Sequence, residues 1–378
     1  MTKSYKSLGL MSGTSGDGVD ASIIQSEGET KYISIYDGYF QYNKFIFEKI
    51  HDIKQRIKSS NDLNNLSSEI KSLEKKITIF HADVVNQIIK KTKEKINVVG
   101  FHGQTIFHNA KEKTSIQLGD GKLLAQLTKK NIVYNFREND LRNGGQGAPL
   151  TPIFHGLIEK KLNIKPVTFF NIGGIINKTV ISNEDNELFA TDIGPGMCLI
   201  DQWIRNNSEN RYDKDGSIAK SGKINKIILN QALDRFFENP EFYNNNLDNI
   251  NHKHQIKSFD TKDFDISFVR GLSLEDGAAT LTEFSLQTML PSLDLASKNN
   301  SKIILCGGGR KNLFLINCIK RNKIKINLID EFNIDGDFIE SQAFAYLAIR
   351  TVIKKPISFP NTTGVKNPCL GGILVEAI

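Results

Sequence analysis

Cysteine is scarce in this chain: there are four in 378 residues, and Cys198, Cys306, Cys318 and Cys369 are far apart with no C-x-x-C pair among them. That spacing argues against a disulfide framework and a cysteine zinc site, and suits buried free thiols in a reducing compartment. No apolar run approaches the ~18 residues that a bilayer span needs. The N-terminus lacks the charged, then apolar, then small pattern of a signal peptide, so a cytoplasmic location with no membrane partner is expected. A basic strip is missing as well. The formal net charge is +7, but the lysines are spread among glutamates, which argues against nucleic acid and suits a phosphorylated or carboxylated small substrate. There is no G-x-x-x-x-G-K-[ST] loop, so a P-loop fold is disfavoured.

What is present is an ordinary globular composition, 39% hydrophobic and 24% charged, in a chain whose length suits two domains. SLGLMS, ASIIQS and YISIYDGYF read as a meander of three antiparallel strands, and residues 44–95 then change to a helical period, predicting two amphipathic helices. INVVGF, TSIQLG and NIVYNF read as strands around the short helix GKLLAQLTKK. A second unit repeats the plan. KPVTFFNIGG, NKTVIS and ELFATDIG are three strands, helices follow, and SKIILCGGG and IKINLID are strands around NLFLINCIKRN. A long helix before them opens on a Ser273 cap and is predicted to be interrupted near Pro291. FIESQAFAYLAIRTVIKK is a final long helix.

Two successive units of this kind imply an α/β protein of two domains facing each other across a central cleft, with boundaries expected at 1–134 plus 353–378 and at 135–352. Residues 239–265 are Asn-rich and aperiodic and predict a long loop. His252 and His254 lie in it, i and i+2 with no nearby cysteine, and read as exposed side chains rather than metal ligands.

The chemistry is concentrated in glycine turns. MSGTSGDGVD, residues 11–20, carries far more than a hairpin needs. Gly13, Gly16 and Gly18 let backbone approach a ligand, and Thr14 and Ser15 add hydroxyls. Asp17 and Asp20 would repel a bare phosphate but suit Mg²⁺ held through water. A glycine-rich hairpin with capping aspartates is the alternative. NIGGIIN, with Gly173 and Gly174, is a second turn of the same design, and CGGGRKN, with Gly307 and Gly308, could lay a nucleobase or ribose against bare backbone. Arg137 could clamp a carboxylate, and Gln104 and His102 could hydrogen-bond an amide or hydroxyls. Asp192, at a strand end before Gly-Pro-Gly, could take a proton from a water or hydroxyl nucleophile, or could only cap the helix that follows.

Taken in order, GLMSGTSGDGVD, FHGQTIFH, NFRENDLRNGGQGAPL, NIGGIIN, DIGPGMCLIDQW, CGGGRKN, FIESQAFAYLAIR and TGVKNPCLGG resemble the anhydro-N-acetylmuramic acid kinases over nearly the whole chain. The resemblance implies the actin, hexokinase and Hsp70-type (ribonuclease H-like) ATPase fold. It also implies a reaction: with ATP and Mg²⁺, water opens the 1,6-anhydro ring while the γ-phosphoryl moves to O6, giving N-acetylmuramic acid 6-phosphate and ADP in cell-wall recycling. On this mapping Gly13, Thr14, Ser15, Gly16, Asp17, Gly18, Val19 and Asp20 form the ATP phosphate loop, and Asp192 is the base. Gln104, Arg137 and Glu340 contact the sugar, Asp201 supports the phosphate region, and the chain is a homodimer. The sequence departs from the family pattern at Gly16 (Leu in the pattern), Asn135 (Asp) and Met197 (Asn), and has KSFDTKDFD in place of a Lys-Ser-Thr-Gly-Arg-Glu run. The competing readings are a kinase of another sugar, with Asp192 deprotonating a free hydroxyl, and a non-catalytic ATP-dependent clamp.

Overall fold

The computed structural model describes residues 3–183, 188–243 and 256–377. They divide into two compact units, Met1–Asn163 with Asp337–Ile378, and Ile164–Gly336. His252 and His254 lie outside the described residues.

The first unit begins with the expected meander, β1 (Tyr5–Ser12), β2 (Gly18–Ser26) and β3 (Tyr32–Gln41), paired antiparallel in that order. The helical stretch is three pieces rather than two: α1 (Lys44–Arg56), α2 (Ser60–Asn65) and α3 (Ser67–Thr92). Asn43 caps α1 by accepting the Ile46 N–H, and Ile46, Ile50 and Ile53 recur at helical spacing to bury one face. Then come β4 (Val98–Asn109), β5 (Thr114–Leu118), α4 (Gly121–Thr128), β6 (Ile132–Tyr134), α5 (Glu138–Arg142) and α6 (Pro152–Leu162). β4 lies parallel to β1 on the side away from β2, and β6 lies parallel to β4. Buried residues of the meander, α1, α3 and α4 share one apolar core.

The second unit contains β7 (Val167–Ile172), β8 (Ile175–Ile181), β9 (Leu188–Pro195), α7 (Cys198–Asn207), α8 (Ser217–Ser221), α9 (Lys226–Glu238), α10 (Leu274–Lys298), β10 (Lys302–Cys306), α11 (Leu313–Arg321) and β11 (Ile326–Leu328). Its sheet runs β11-β10-β7-β8-β9, and the core of the first sheet runs β6-β4-β1-β2-β3. The two orders correspond strand for strand: three antiparallel strands, then two added parallel on the free side of the first. This is the ribonuclease H-like arrangement of actin and hexokinase domains, present twice. Ser273 caps α10 as predicted, accepting the Asp276 N–H at 3.1 Å. The predicted interruption is absent. α10 runs through Pro291, because its side chains are buried on both sides of that residue and this packing outweighs one lost ladder bond.

The chain then returns to the first unit with α12 (Ile339–Val352), α13 (Pro360–Thr363) and β12 (Ile373–Val375), β12 pairing antiparallel with β6. The boundaries expected at 134/135 and 352/353 therefore differ from the observed ones. Residues 135–163 stay with the first unit, where Phe154 packs on Tyr32 at 4.8 Å. α12 also belongs there, lying so close on β1 and β4 that a Cβ on Gly9 would sit 1.9 Å from Ser341 O and one on Gly100 2.2 Å from Phe344 O. No helix among the described residues is long and apolar enough to cross a membrane.

Both glycines are contacts of backbone on backbone, with no flexible side chain to yield. Gly9→Ala and Gly100→Ala are each expected to cost about 3 kcal/mol, the upper range for overpacking, and to lower the denaturation midpoint. An unchanged midpoint would show that α12 can back away from the sheet.

Candidate active site

The candidate residues fall in both units and are described unit by unit. In the first, the phosphate-loop candidate joins β1 to β2. The Gly16 N–H closes a turn on Gly13 O at 3.1 Å, and Tyr42 N–H holds Asp17 O at 2.9 Å. Gly16 has φ +64°, and a Cβ there would lie 2.9 Å from Ile50 Cγ2. Glycine at this position thus has two local reasons, a left-handed backbone and the close approach of α1. Ser15 Oγ donates to Asp17 Oδ1 at 2.5 Å. Thr14 and Ser15 are exposed, Asp17 and Asp20 half-buried.

Three supports of this loop were not foreseen. Lys54, in the last turn of α1, donates its ammonium to Thr14 O at 2.9 Å. Beneath the loop, Ser12 Oγ lies 2.8 Å from Tyr42 Oη and 3.1 Å from His81 Nε2. His81 Nδ1 donates to Ile77 O at 2.8 Å, so the neutral ring offers Nε2 as an acceptor to Ser12. Burial lowers the His81 pKa to about 4. Third, Gln104, fully buried on β4, donates its amide to Gly13 O at 2.9 Å, and its Oε1 has no partner. The structure joins this predicted sugar contact to the phosphate-loop candidate.

Arg137 and His102 come together as a pair. His102 Nδ1 donates to Gly103 O, and Nε2 accepts from Arg137 Nη2 at 2.9 Å and Nε at 3.3 Å. Arg137 Nη1 donates to Gly147 O at 2.9 Å. Burial, then the adjacent guanidinium, hold the His102 pKa well below its ordinary value. The GGQGAP turn is itself pinned by Asp140, which accepts Gly147 N–H at 2.6 Å and the Thr363 hydroxyl at 2.5 Å. Asn135 has φ +55° and donates its amide to Glu138, which an aspartate there would instead repel. Glu340 is half-buried in the first turn of α12.

In the second unit the two glycine turns are laced together. Gly196 and Cys198 N–H donate to Gly174 O, and Met197 N–H donates to Gly173 O at 2.9 Å. The start of α7, which carries Asp201 in its first turn, is therefore bonded to the NIGG turn. Met197 packs its side chain against two apolar clusters of the unit, where an Asn would bring a polar group. Asp192 lies in β9, 8% exposed, opposite Asn177 at a bulge that leaves Ile193 unpaired. Its backbone N–H donates to Lys257 O at 3.0 Å, and its Oδ2 accepts the Phe259 N–H at 2.8 Å. The KSFDTKDFD segment is what holds this carboxylate. It does not cap α7, whose cap residue is Met197.

Of the triple glycine, Gly307 and Gly309 press on the end of β7, where Cβ atoms would lie 2.7 Å from Ile172 O and 2.3 Å from Ile172 Cγ2. Gly308 alone faces open space. Arg310, 3% exposed, ties Gly307 O to Asp330 with bonds of 3.0, 2.6 and 2.8 Å. Among the described residues no group of three or more His, Cys, Asp or Glu could hold a metal ion. Asp17 and Asp20 therefore fit magnesium only as an ion that arrives with phosphate and keeps most of its water.

A sequence profile of anhydro-N-acetylmuramic acid kinase matches residues 5–377. The chain belongs to the anhydro-N-acetylmuramic acid kinase family. A family member of that name from Pelagibacter ubique is 51% identical over the full length of both chains. Those of Zymomonas mobilis and Agrobacterium fabrum are 36% and 34% identical, covering 97% and 98% of this chain and 98% of their own. A glucokinase from Balamuthia mandrillaris in complex with glucose aligns over 92% of this chain at 11% identity and a TM-score of 0.34, too remote to add to the strand-order argument.

Two outcomes follow from this candidate site. Gln104→Leu removes the bond to Gly13 O and is expected to raise the KM for ATP about threefold to tenfold, the scale of one buried hydrogen bond, with the sugar KM little changed. Steady-state kinetics showing the reverse would make Gln104 a sugar contact. The buried histidines set a pH dependence. His81 and His155, lowered to about 4 and about 3 by burial, stay neutral in the fold but bind protons in the unfolded chain near pH 6.5. Stability is fully present above that value and is lost as pH falls from about 6.5 toward 4. Denaturant midpoints across that window should fall, and His81→Gln should flatten the slope; a midpoint that does not change with pH would contradict the assignment.

Proposed function

We propose that this protein is an ATP-dependent kinase that hydrolyses the 1,6-anhydro bond of anhydro-N-acetylmuramic acid and phosphorylates O6, serving recycling of cell-wall sugars. What supports this most is the placement of Asp192. It is a largely buried carboxylate on the strand leading into the Gly-Pro-Gly turn, held through both its main chain and its side chain.

In the proposed reaction Asp192 accepts a proton from water as the water oxygen bonds to C1. The C1–O6 bond breaks, O6 bonds to the γ-phosphorus, and the bridging oxygen leaves with ADP. Positioning and charge stabilisation supply most of the rate in such a transfer. The amides of Gly13, Thr14 and Ser15 and the Thr14 hydroxyl would face phosphate oxygens, the Gly16 amide and the Ser15 hydroxyl being held inside the loop by Gly13 O and Asp17, with the Lys54 ammonium beside Thr14 as the nearby positive charge. Asp17 and Asp20 would hold magnesium through water, and the ion when bound neutralises charge on the phosphates. Gly308, the open glycine of its turn, suits the flat face of a base or ribose. Arg137, oriented by His102, suits the lactyl carboxylate, since a planar guanidinium matches a carboxylate in geometry and charge.

The decisive assay incubates the protein with Mg-ATP and the anhydro sugar, and is expected to yield a 6-phosphorylated reducing sugar by mass. ATP turnover with free hexoses but not with the anhydro sugar would replace this with a kinase of another sugar. Asp192→Asn is expected to bind ATP normally by calorimetry and to lose at least about a hundredfold in kcat, the scale of a general base. Near-normal turnover would remove Asp192 from the role.

A further inference from the structure

Among the described residues β9 is the last strand of its sheet, and the bulge at Ile193 interrupts its ladder with β8 beside Asp192. A bulged edge is the least constrained part of a sheet, and bulges re-aim side chains. A carboxylate required to meet a reacting water within a fraction of an ångström is therefore in a loosely held place, unless something covers the outer edge.

Lys257–Phe259 covers it. Asp192 N–H donates to Lys257 O at 3.0 Å, Lys257 N–H donates to Thr191 Oγ1 at 3.0 Å, and Phe259 N–H donates to Asp192 Oδ2 at 2.8 Å. The Thr191 hydroxyl in turn donates to Asp192 O at 3.2 Å. The strap is moored independently of Asp192: Lys257 Nζ donates to Pro240 O at 3.0 Å, and the Phe259 ring packs on Phe242 and Phe264 at 5.9 and 5.4 Å. The third of these bonds ends on a carboxylate oxygen rather than on main chain. An edge that needed only covering would have no use for it.

We propose that Thr191 and the Lys257–Phe259 strap are a positioning device for Asp192. Thr191 sets the register of the strap so that the Phe259 amide meets the carboxylate. The role rests on Asp192 being the base. Thr191 is a positioning residue and touches no substrate. It ties KSFDTKDFD to the proposed chemical step.

Thr191→Val keeps the side-chain shape and removes the hydroxyl, so that the Lys257 amide loses its acceptor. With Mg-ATP and the anhydro sugar, kcat is expected to fall about fivefold to tenfold while both KM values stay within about twofold, the scale of one buried hydrogen bond. Thr191→Ser restores the hydroxyl and should restore kcat. Thermal unfolding of each variant is measured alongside. Wild-type kcat in Thr191→Val overturns the proposal, as does a loss that tracks a lowered thermal midpoint and is not rescued by serine. Asp192→Asn assayed in parallel separates the two levels: if it is inactive while Thr191→Val is fully active, the strap alone is rejected. If Asp192→Asn is itself near normal, the base assignment fails and the strap with it.

Discussion

Each unit depends on one constraint, that its first strand is interior to the sheet. β1 is bonded to β2 on one side and β4 on the other, and β7 to β8 and β10 in the same way. A strand with both edges paired and both faces covered has no freedom to pass on, so the loop that leaves its C-terminal end starts from a fixed point. Gly13–Asp17 follows β1 and the Gly173–Gly174 turn follows β7. In both units the glycine turn sits where the backbone upstream is most rigid. Close approach of ligand to backbone needs that rigidity, because an amide that drifts loses its hydrogen bond before a side chain would.

Around these fixed points the polar supports are buried and neutral where they touch one another. His81 and His102 each use Nδ1 on a carbonyl and present Nε2 as an acceptor, His81 to a hydroxyl and His102 to a guanidinium. Protonating either ring would put a donor against a group that already donates, or a cation against Arg137. Low pKa values are thus the electrical expression of the geometry, with burial as the larger cause. Arg310 is instead a buried cation whose charge is met by Asp330, which accepts two of its N–H groups.

Much of this was legible in the sequence, and the reasons differ residue by residue. The two meanders were visible from alternation and turn residues; residues 11–20 stood out for chemistry in excess of what a hairpin requires, and Asp192 as a strand-end carboxylate before Gly-Pro-Gly. Gln104 was legible as a functional polar residue, but its bond to Gly13 crosses 91 positions and no local pattern points to it. Thr191 and Phe259 meet Lys257 and Asp192 over separations of 66 and 67 residues, too far apart for a local pattern to join them. His81 falls in residues 44–95, where the helical period alone marks no residue as a support of the loop. Pro291 misled because propensity argues locally while burial on both sides of it decides. The unit boundaries were misplaced for a similar reason: α12 has the pattern of any buried helix, and only the bare backbones of Gly9 and Gly100 show which sheet it covers.

That last contact bears on how the molecule is made. The first unit is discontinuous, with Ile164–Gly336 inserted between its two parts. As the chain leaves the ribosome, the inserted unit has all its strands available while the first still lacks α12 and β12. Domains tend to fold as units during synthesis, so the earlier-begun half waits with one face of its sheet uncovered, and the later-begun half can finish before it. The bare backbones at Gly9 on β1 and Gly100 on β4 form the seat for a helix that arrives last.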